Sequence, residues 1–168
     1  EGEFRVAATP ETVKKLTGLN HTVYIESDAG IGASITNQMY LDAGGVIKNN
    51  VEIFKSDLIL KVRAPNSGEV EKLQANQYIV GLLEPFNTKL TSQLSSKKVT
   101  AFSLESLPRN TRAQSMDVLS SQANIAGYKA VILAADYFKK FFPMLMTAAG
   151  TVKAARIIVL GAGVAGLQ

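Results

Sequence analysis

Cysteine and tryptophan are absent from this chain of 168 residues, and histidine occurs once, at His21. Without cysteine there is no disulfide framework and no thiolate chemistry. One histidine and no cysteine cannot assemble the usual zinc constellations, so no metal site is expected. A Ser-His-Asp triad would have to recruit His21, which reads as a solvent-facing turn residue, and no nucleophile elbow accompanies it. Neither sign of charge dominates: 18 Lys+Arg against 14 Asp+Glu leave a formal net charge of +4. The lysines fall in scattered pairs (Lys14-Lys15, Lys97-Lys98, Lys139-Lys140) that read as solvated element ends. A nucleic-acid surface needs clustered cations with interleaved aromatics, and that pattern is missing. Long apolar runs are missing too. Lys129 and Asp136 interrupt the best candidate, leaving nothing that reaches the ~18–20 apolar residues of a membrane span. Gly30-Ile31-Gly32-Ala33 lacks the Lys-Ser/Thr ending of a P-loop and reads as a turn. The first residue is Glu1 rather than Met, so targeting is not legible from this sequence.

What is present is ample material for one core, with 46% apolar residues. Short β-branched runs alternate with helical patterns. Residues 4–8 read as a strand. Thr9-Pro10-Glu11 then supplies an N-cap, a first-turn proline and an early acid for a helix to about Leu19. Residues 22–26 read as a second strand, and a helix capped by Thr36 ends at Gly44-Gly45. Residues 57–62 (DLILKV) form a near-continuous apolar run, as expected of a parallel strand covered on both faces. Residues 69–73 read as helix and 78–83 as another buried strand. Asn87 caps a helix to Ser96, and 99–104 is a further strand. The alternation predicts an α/β fold with a doubly wound, mostly parallel, flavodoxin-like sheet.

The pattern changes after residues 106–114. A long helix is predicted over residues 115–142, stopped by Pro143. It carries apolar residues on most sides, which predicts burial on most sides and suits an interdomain spine. Near the end, Ala155-Arg156-Ile157-Ile158-Val159-Leu160 feeds Gly161-Ala162-Gly163-Val164-Ala165-Gly166. An apolar run entering G-x-G-x-x-G is how a dinucleotide-binding βαβ unit begins, its glycines allowing a tight turn and close approach of a pyrophosphate. The expected organisation is a first domain over 1–142 and a Rossmann start over 143–168. The crossover, second strand and ribose-binding acid are expected beyond Gln168. Residues 156–160 are without strand neighbours in this chain, so the segment after Gly150 is expected to pack against a second copy or to be mobile rather than sit in a complete Rossmann sheet.

The run Pro108-Arg109-Asn110-Thr111-Arg112-Ala113-Gln114-Ser115-Met116-Asp117-Val118-Leu119-Ser120-Ser121-Gln122-Ala123-Asn124-Ile125-Ala126-Gly127-Tyr128-Lys129-Ala130-Val131 closely resembles the NAD(H)-binding component of proton-translocating nicotinamide nucleotide transhydrogenases. The resemblance continues through Thr147-Ala148-Ala149-Gly150-Thr151-Val152 into the glycine fingerprint. It also takes in Arg5-Val6-Ala7, Thr9-Pro10 and Leu60-Lys61-Val62-Arg63-Ala64-Pro65, and so spans nearly the whole chain. It implies hydride transfer from NADH to NADP⁺ bound on a partner component, coupled to proton movement through a membrane component. It also implies a homodimer, peripheral to a membrane on the matrix or bacterial cytoplasmic side.

By the same resemblance Arg109, Gln114, Asp117 and Ser120 are the catalytic candidates. Arg109, Arg112 and Gln114 would contact the cofactor together with Gly161, Gly163 and Gly166. Hydride transfer asks the protein for no acid or base, only for two nicotinamide rings held about 3–3.5 Å apart in the right orientation. The Gln114 amide can fix a nicotinamide through paired donors and acceptors. An Arg109–Asp117 pair would brace the loop, with Ser120 in the same network.

Alanine dehydrogenases share this ancestry. By that resemblance Lys61 matches a lysine used on the keto-acid substrate and Arg5 a carboxylate-binding arginine. That family also uses a histidine where this chain reads Leu82-Leu83-Glu84-Pro85-Phe86-Asn87, without one. Its absence favours transhydrogenation over amino-acid oxidation. A chain that only folds or binds partners is the remaining alternative.

Overall fold

Side-chain caps set where the helices of this chain begin. The computed structural model describes residues 2–168, and they fall into two compact units, the first closing at Pro108 and the second spanning Arg109–Gln168. In the first unit Thr9 caps α1 (Pro10–Gly18), Thr36 caps α2 (Asn37–Asp42), and Asn87 caps α5 (Thr88–Ser96). Two more helices start on reciprocal capping boxes: Asn49 with Glu52 for α3 (Asn50–Ile53), and Asn66 with Glu69 for α4 (Ser67–Lys72). Each cap satisfies amide groups that a helix start otherwise leaves without partners.

Between these helices run parallel strands, in two hydrogen-bonded sets. Strands β1 (Tyr24–Glu26) and β2 (Val46–Lys48) pair with Ile25 opposite Ile47. Strands β3 (Leu58–Leu60), β4 (Tyr78–Gly81) and β5 (Thr100–Ser103) form a second sheet in that order, all parallel. The α/β alternation with parallel pairing is the architecture expected of the sequence. One core gathers Phe54, Ile59, Val70, Leu73, Ile79, Leu83, Leu90 and Leu94, and a smaller one gathers Val13, Ile25 and Tyr40. The Tyr40 hydroxyl stays satisfied by donating to Ala8 O at 2.9 Å.

Four expectations need correction. Residues 4–8 form no strand: the Arg5 N–H, which a ladder would need, donates to the Glu3 carboxylate at 3.0 Å, and the chain bends at residues 7 and 8 before entering α1. Strand β3 is not covered on both faces. Alternation sends Ile59 inward at 3% exposure and leaves Leu58 at 50% and Leu60 at 39%. Strand β2 and helix α3 both went unpredicted. The long helix is shorter than expected, and its apolar sides are open.

That helix, α6 (Val118–Phe138), belongs to the second unit and ends where Lys139 turns left-handed at φ 52°. Residues 114–116 instead make a 3₁₀ turn. Only Gly127 of α6 is buried, while Ile125, Tyr128, Val131 and Tyr137 are more than half exposed. The physical reason is contact. A short helix, α7 (Val164–Leu167), lies against α6, too small to cover 21 residues. An antiparallel hairpin follows α6, with β6 (Leu145–Thr147) on β7 (Gly150–Val152). Residues 156–160 join no strand among the described residues, and Ile158 and Leu160 are 84% and 93% exposed. No helix among the described residues is long and apolar enough to cross a membrane.

Candidate functional site

In the second unit the loop before α6 is organised by one carboxylate. Asp117 caps the helix, accepting from Ser120 N at 2.9 Å and from the Ser120 hydroxyl at 2.6 Å. The Ser120 hydroxyl, then its N–H, hold the Asp117 carboxyl below its ordinary range, with burial opposing and Arg109 adding a weaker charge effect. Arg109 makes no ion pair with Asp117 among the described residues, so the expected brace is the Asp117–Ser120 lock instead. The reason is local: Ser120 sits one helical turn along, within direct reach, and satisfies the carboxylate first. Upstream, Asn110 Oδ1 accepts from the Ala113 N–H at 2.9 Å, turning the chain at Arg112.

Gln114 opens the 3₁₀ turn, and its main-chain oxygen accepts from Asp117 N at 3.3 Å. Its side chain is exposed and makes no hydrogen bond among the described residues. Arg109 and Arg112 are exposed as well. The loop therefore presents one amide and two guanidinium groups on a backbone held by Asp117.

The same unit carries the glycine fingerprint. Gly161 has φ +107°, a conformation that side chains rarely adopt, so the turn requires glycine there. A Cβ on Gly166 would collide with the main-chain oxygen of Gly161, which is the close packing that the third glycine permits. A Cβ on Gly163 would meet nothing within 4 Å, so that position is open for a ligand to approach the backbone. One turn of α6 beyond Ser120, Asn124 donates to the Gln168 side chain at 2.7 Å. Helix α6 thus carries both the Asp117–Ser120 lock and a direct bond to the end of the fingerprint helix.

In the first unit Lys61 follows β3, at the carboxyl edge where parallel sheets hold their ligands. It is not free. Its ammonium pairs with Glu69, the same carboxylate that completes the α4 capping box. Arg5 is likewise engaged, its guanidinium gripping Glu3 at 2.8 and 2.9 Å. Glu105, which sequence reasoning missed, accepts from Leu83 N at 3.0 Å, from Glu84 N at 2.9 Å, and from the Ser103 hydroxyl. No local pattern announces that role, because its two backbone partners, Leu83 and Glu84, lie over twenty residues away. Nearby, Ala64, Pro65, Asn66, Glu84, Asn87 and Lys89 border a cleft of about 370 Å³.

Burial pushes the Glu69 carboxyl up, but the Lys61 ammonium and the Asn66 N–H outweigh it and hold it below the ordinary carboxylate range. The stabilisation is therefore fully present above the unfolded carboxylate range, near pH 4.3, and is lost as pH falls toward the lowered folded value. With both side chains about one-fifth exposed, Glu69→Gln should cost about 1 kcal/mol at pH 7. The difference from wild type should shrink steadily below about pH 4.5. Urea midpoints measured from pH 7 to pH 3 check this, and a pH-independent difference would contradict it.

The model of the alanine dehydrogenase/PNT N-terminal domain matches residues 1–126, and that of the corresponding C-terminal domain matches residues 130–168. This chain belongs to the alanine dehydrogenase/PNT family. Within it, the chain is 45% identical over 99% of its length to the NAD(P) transhydrogenase subunit alpha of Haemophilus influenzae, covering 33% of that protein. Against alanine dehydrogenase 1 of Staphylococcus aureus it is 36% identical over 82% of its length, covering 36% of that protein. Superposed on the transhydrogenase crystal structure from Sinorhizobium meliloti, it gives a TM-score of 0.95 at 46% identity, covering 99% of this chain and 52% of that one. The chain thus spans between a third and about half of these relatives.

Proposed function

We propose that this chain acts within the NAD(H)-binding alpha component of a proton-translocating transhydrogenase. The observation that carries the reading is the loop of residues 109–120: an unpartnered Gln114 amide beside an Asp117 already spent on Ser120. Such a loop can orient a ring but offers no free base. Transfer of a hydride between two nicotinamides needs orientation alone, whereas oxidising an amino acid needs a positioned base. The fingerprint fits a dinucleotide, since Gly163 leaves its backbone open and Gly161 and Gly166 permit the turn. Gly161, Gly163 and Gly166 would receive the pyrophosphate, and Arg109, Arg112 and Gln114 the nicotinamide end. Bound NADH supplies the hydride. The chain's own residues hold the turn, keep the Gln114 amide presented, and bring no proton of their own to the transfer.

The acceptor, NADP⁺, would sit on a partner component, with a membrane component coupling transfer to proton movement. The alpha component would be a peripheral homodimer on the matrix or cytoplasmic side. The rival reading, an alanine dehydrogenase-like enzyme, draws on the 36% identity to that enzyme. The experiment assays the full-length alpha component, assembled with its partners. NADH should reduce an NADP⁺ analogue, and L-alanine with NAD⁺ should yield no NADH even at high substrate. Alanine-dependent NADH production that Lys61→Ala abolishes would overturn the proposal.

A further inference from the structure

A glycine in the middle of a long helix weakens it, because glycine gives up more backbone freedom there than alanine does. Helix α6 carries one such residue, Gly127, and it is the residue that the helix buries. The reason for it stands opposite. A Cβ on Gly127 would lie 2.2 Å from the main-chain oxygen of Ala165 and 3.0 Å from its carbonyl carbon and Cα. Ordinary contact begins at 3.4 Å, so alanine at 127 would push α7 away by about 1 Å. Ala165 belongs to the glycine fingerprint, between Gly163 and Gly166. One turn earlier on α6, Asn124 donates to the Gln168 side chain at 2.7 Å. One turn before that, Ser120 holds Asp117. Positions 120, 124 and 127 share one side of a helix. A single helix face therefore ties the loop of residues 109–120 at its start and the fingerprint two turns on, all within the second unit.

We propose that Gly127 is a positioning residue for hydride transfer. By seating the fingerprint backbone directly on α6, it sets the distance between the turn that holds the pyrophosphate and the loop that orients the nicotinamide. The inference rests on the function proposed above and adds to it a residue that touches no cofactor. A dinucleotide anchored at one end presents its ring at a place fixed by the other. Parting the two seats moves the ring against Gln114, and a misplacement of about 1 Å costs up to about 100-fold in rate. Binding suffers less, because each half of NADH still meets its own seat. The fingerprint itself moves as a body, since Gly166 packs on Gly161 within the turn.

The test places Gly127→Ala in the full-length alpha component assembled with its partners, with thermal melts to check folding. Stopped-flow transfer from NADH to an NADP⁺ analogue should slow at least about tenfold. ADP-ribose, which lacks the nicotinamide, should bind within about twofold of wild type. Asn124→Ala removes the second tie without a clash and should slow transfer about threefold; it decides the matter should Gly127→Ala fail to fold. Folded variants that transfer hydride at the wild-type rate would overturn the proposal. So would ADP-ribose affinity that falls in step with the rate, which would make Gly127 a support of the fingerprint alone. A wild-type component that transfers no hydride would sink the transhydrogenase reading before any variant is compared, and this inference with it.

Discussion

Replacing Gln114 with alanine is expected to slow hydride transfer about 100-fold while weakening NADH binding by no more than about threefold. Gln114 takes part in the loop through its backbone, accepting from Asp117 N, and its exposed side chain bonds nothing among the described residues. Removing that side chain therefore leaves the Asp117–Ser120 lock and the start of α6 in place. What is lost is an amide able to fix the plane of a nicotinamide. Orientation acts on the transition state, and a modest loosening of the ring costs rate steeply. Binding energy should come mostly from the far end of the dinucleotide, near the fingerprint. Stopped-flow transfer to an NADP⁺ analogue and an NADH titration, both in the full-length component, separate the two effects. Equal losses would make Gln114 a general binding residue and would remove the loop's special role.

Helix starts were the most legible part of this fold, because each is written in one residue. Asn87 announces α5 to its last residue at Ser96, and Thr9 and Thr36 announce α1 and α2. The Asn49–Glu52 capping box was equally readable, but α3 is only four residues long, too short for apolar periodicity to mark. Strand β2 went unread for the same reason, three residues directly after a glycine pair. Burial was the poorest guide. An apolar residue reports that it can be covered, and the open sides of α6 and the outer face of β3 show how far capacity and coverage diverge. At the candidate site, the wiring of the loop was not legible. Arg109 and Asp117 look like a pair on paper, yet Ser120 is nearer and takes the carboxylate. Glu3 bridging Arg5 to Arg63 across the chain leaves no trace in any local window.

Ile79→Ala should cost about 4 kcal/mol, the largest loss expected from any single truncation in the first unit. Ile79 is 0% exposed and lies on the central strand β4, between Ile59 on β3 and Ala101 on β5. Its side chain is part of the core that joins Phe54, Val70, Leu73, Leu83, Leu90 and Leu94. Deleting it loses the transfer energy of its methyl and methylene groups and leaves a cavity. Collapse into that cavity is resisted because β4 is hydrogen-bonded to a parallel strand on each side. The cost therefore belongs in the upper part of the ~2–5 kcal/mol range for such substitutions. Leu58→Ala is the matched control: it is on the same sheet but 50% exposed, and should cost about 1 kcal/mol or less. For a unit of this size the Ile79 variant should melt on the order of 15 °C lower. The consequence reaches the ligand edge, since β4 runs into Leu83 and Glu84, whose N–H groups Glu105 holds. Urea unfolding and thermal melts of both variants decide it. Equal losses at Ile79 and Leu58 would mean that the sheet buries both faces in solution, contrary to the one-sided core described above.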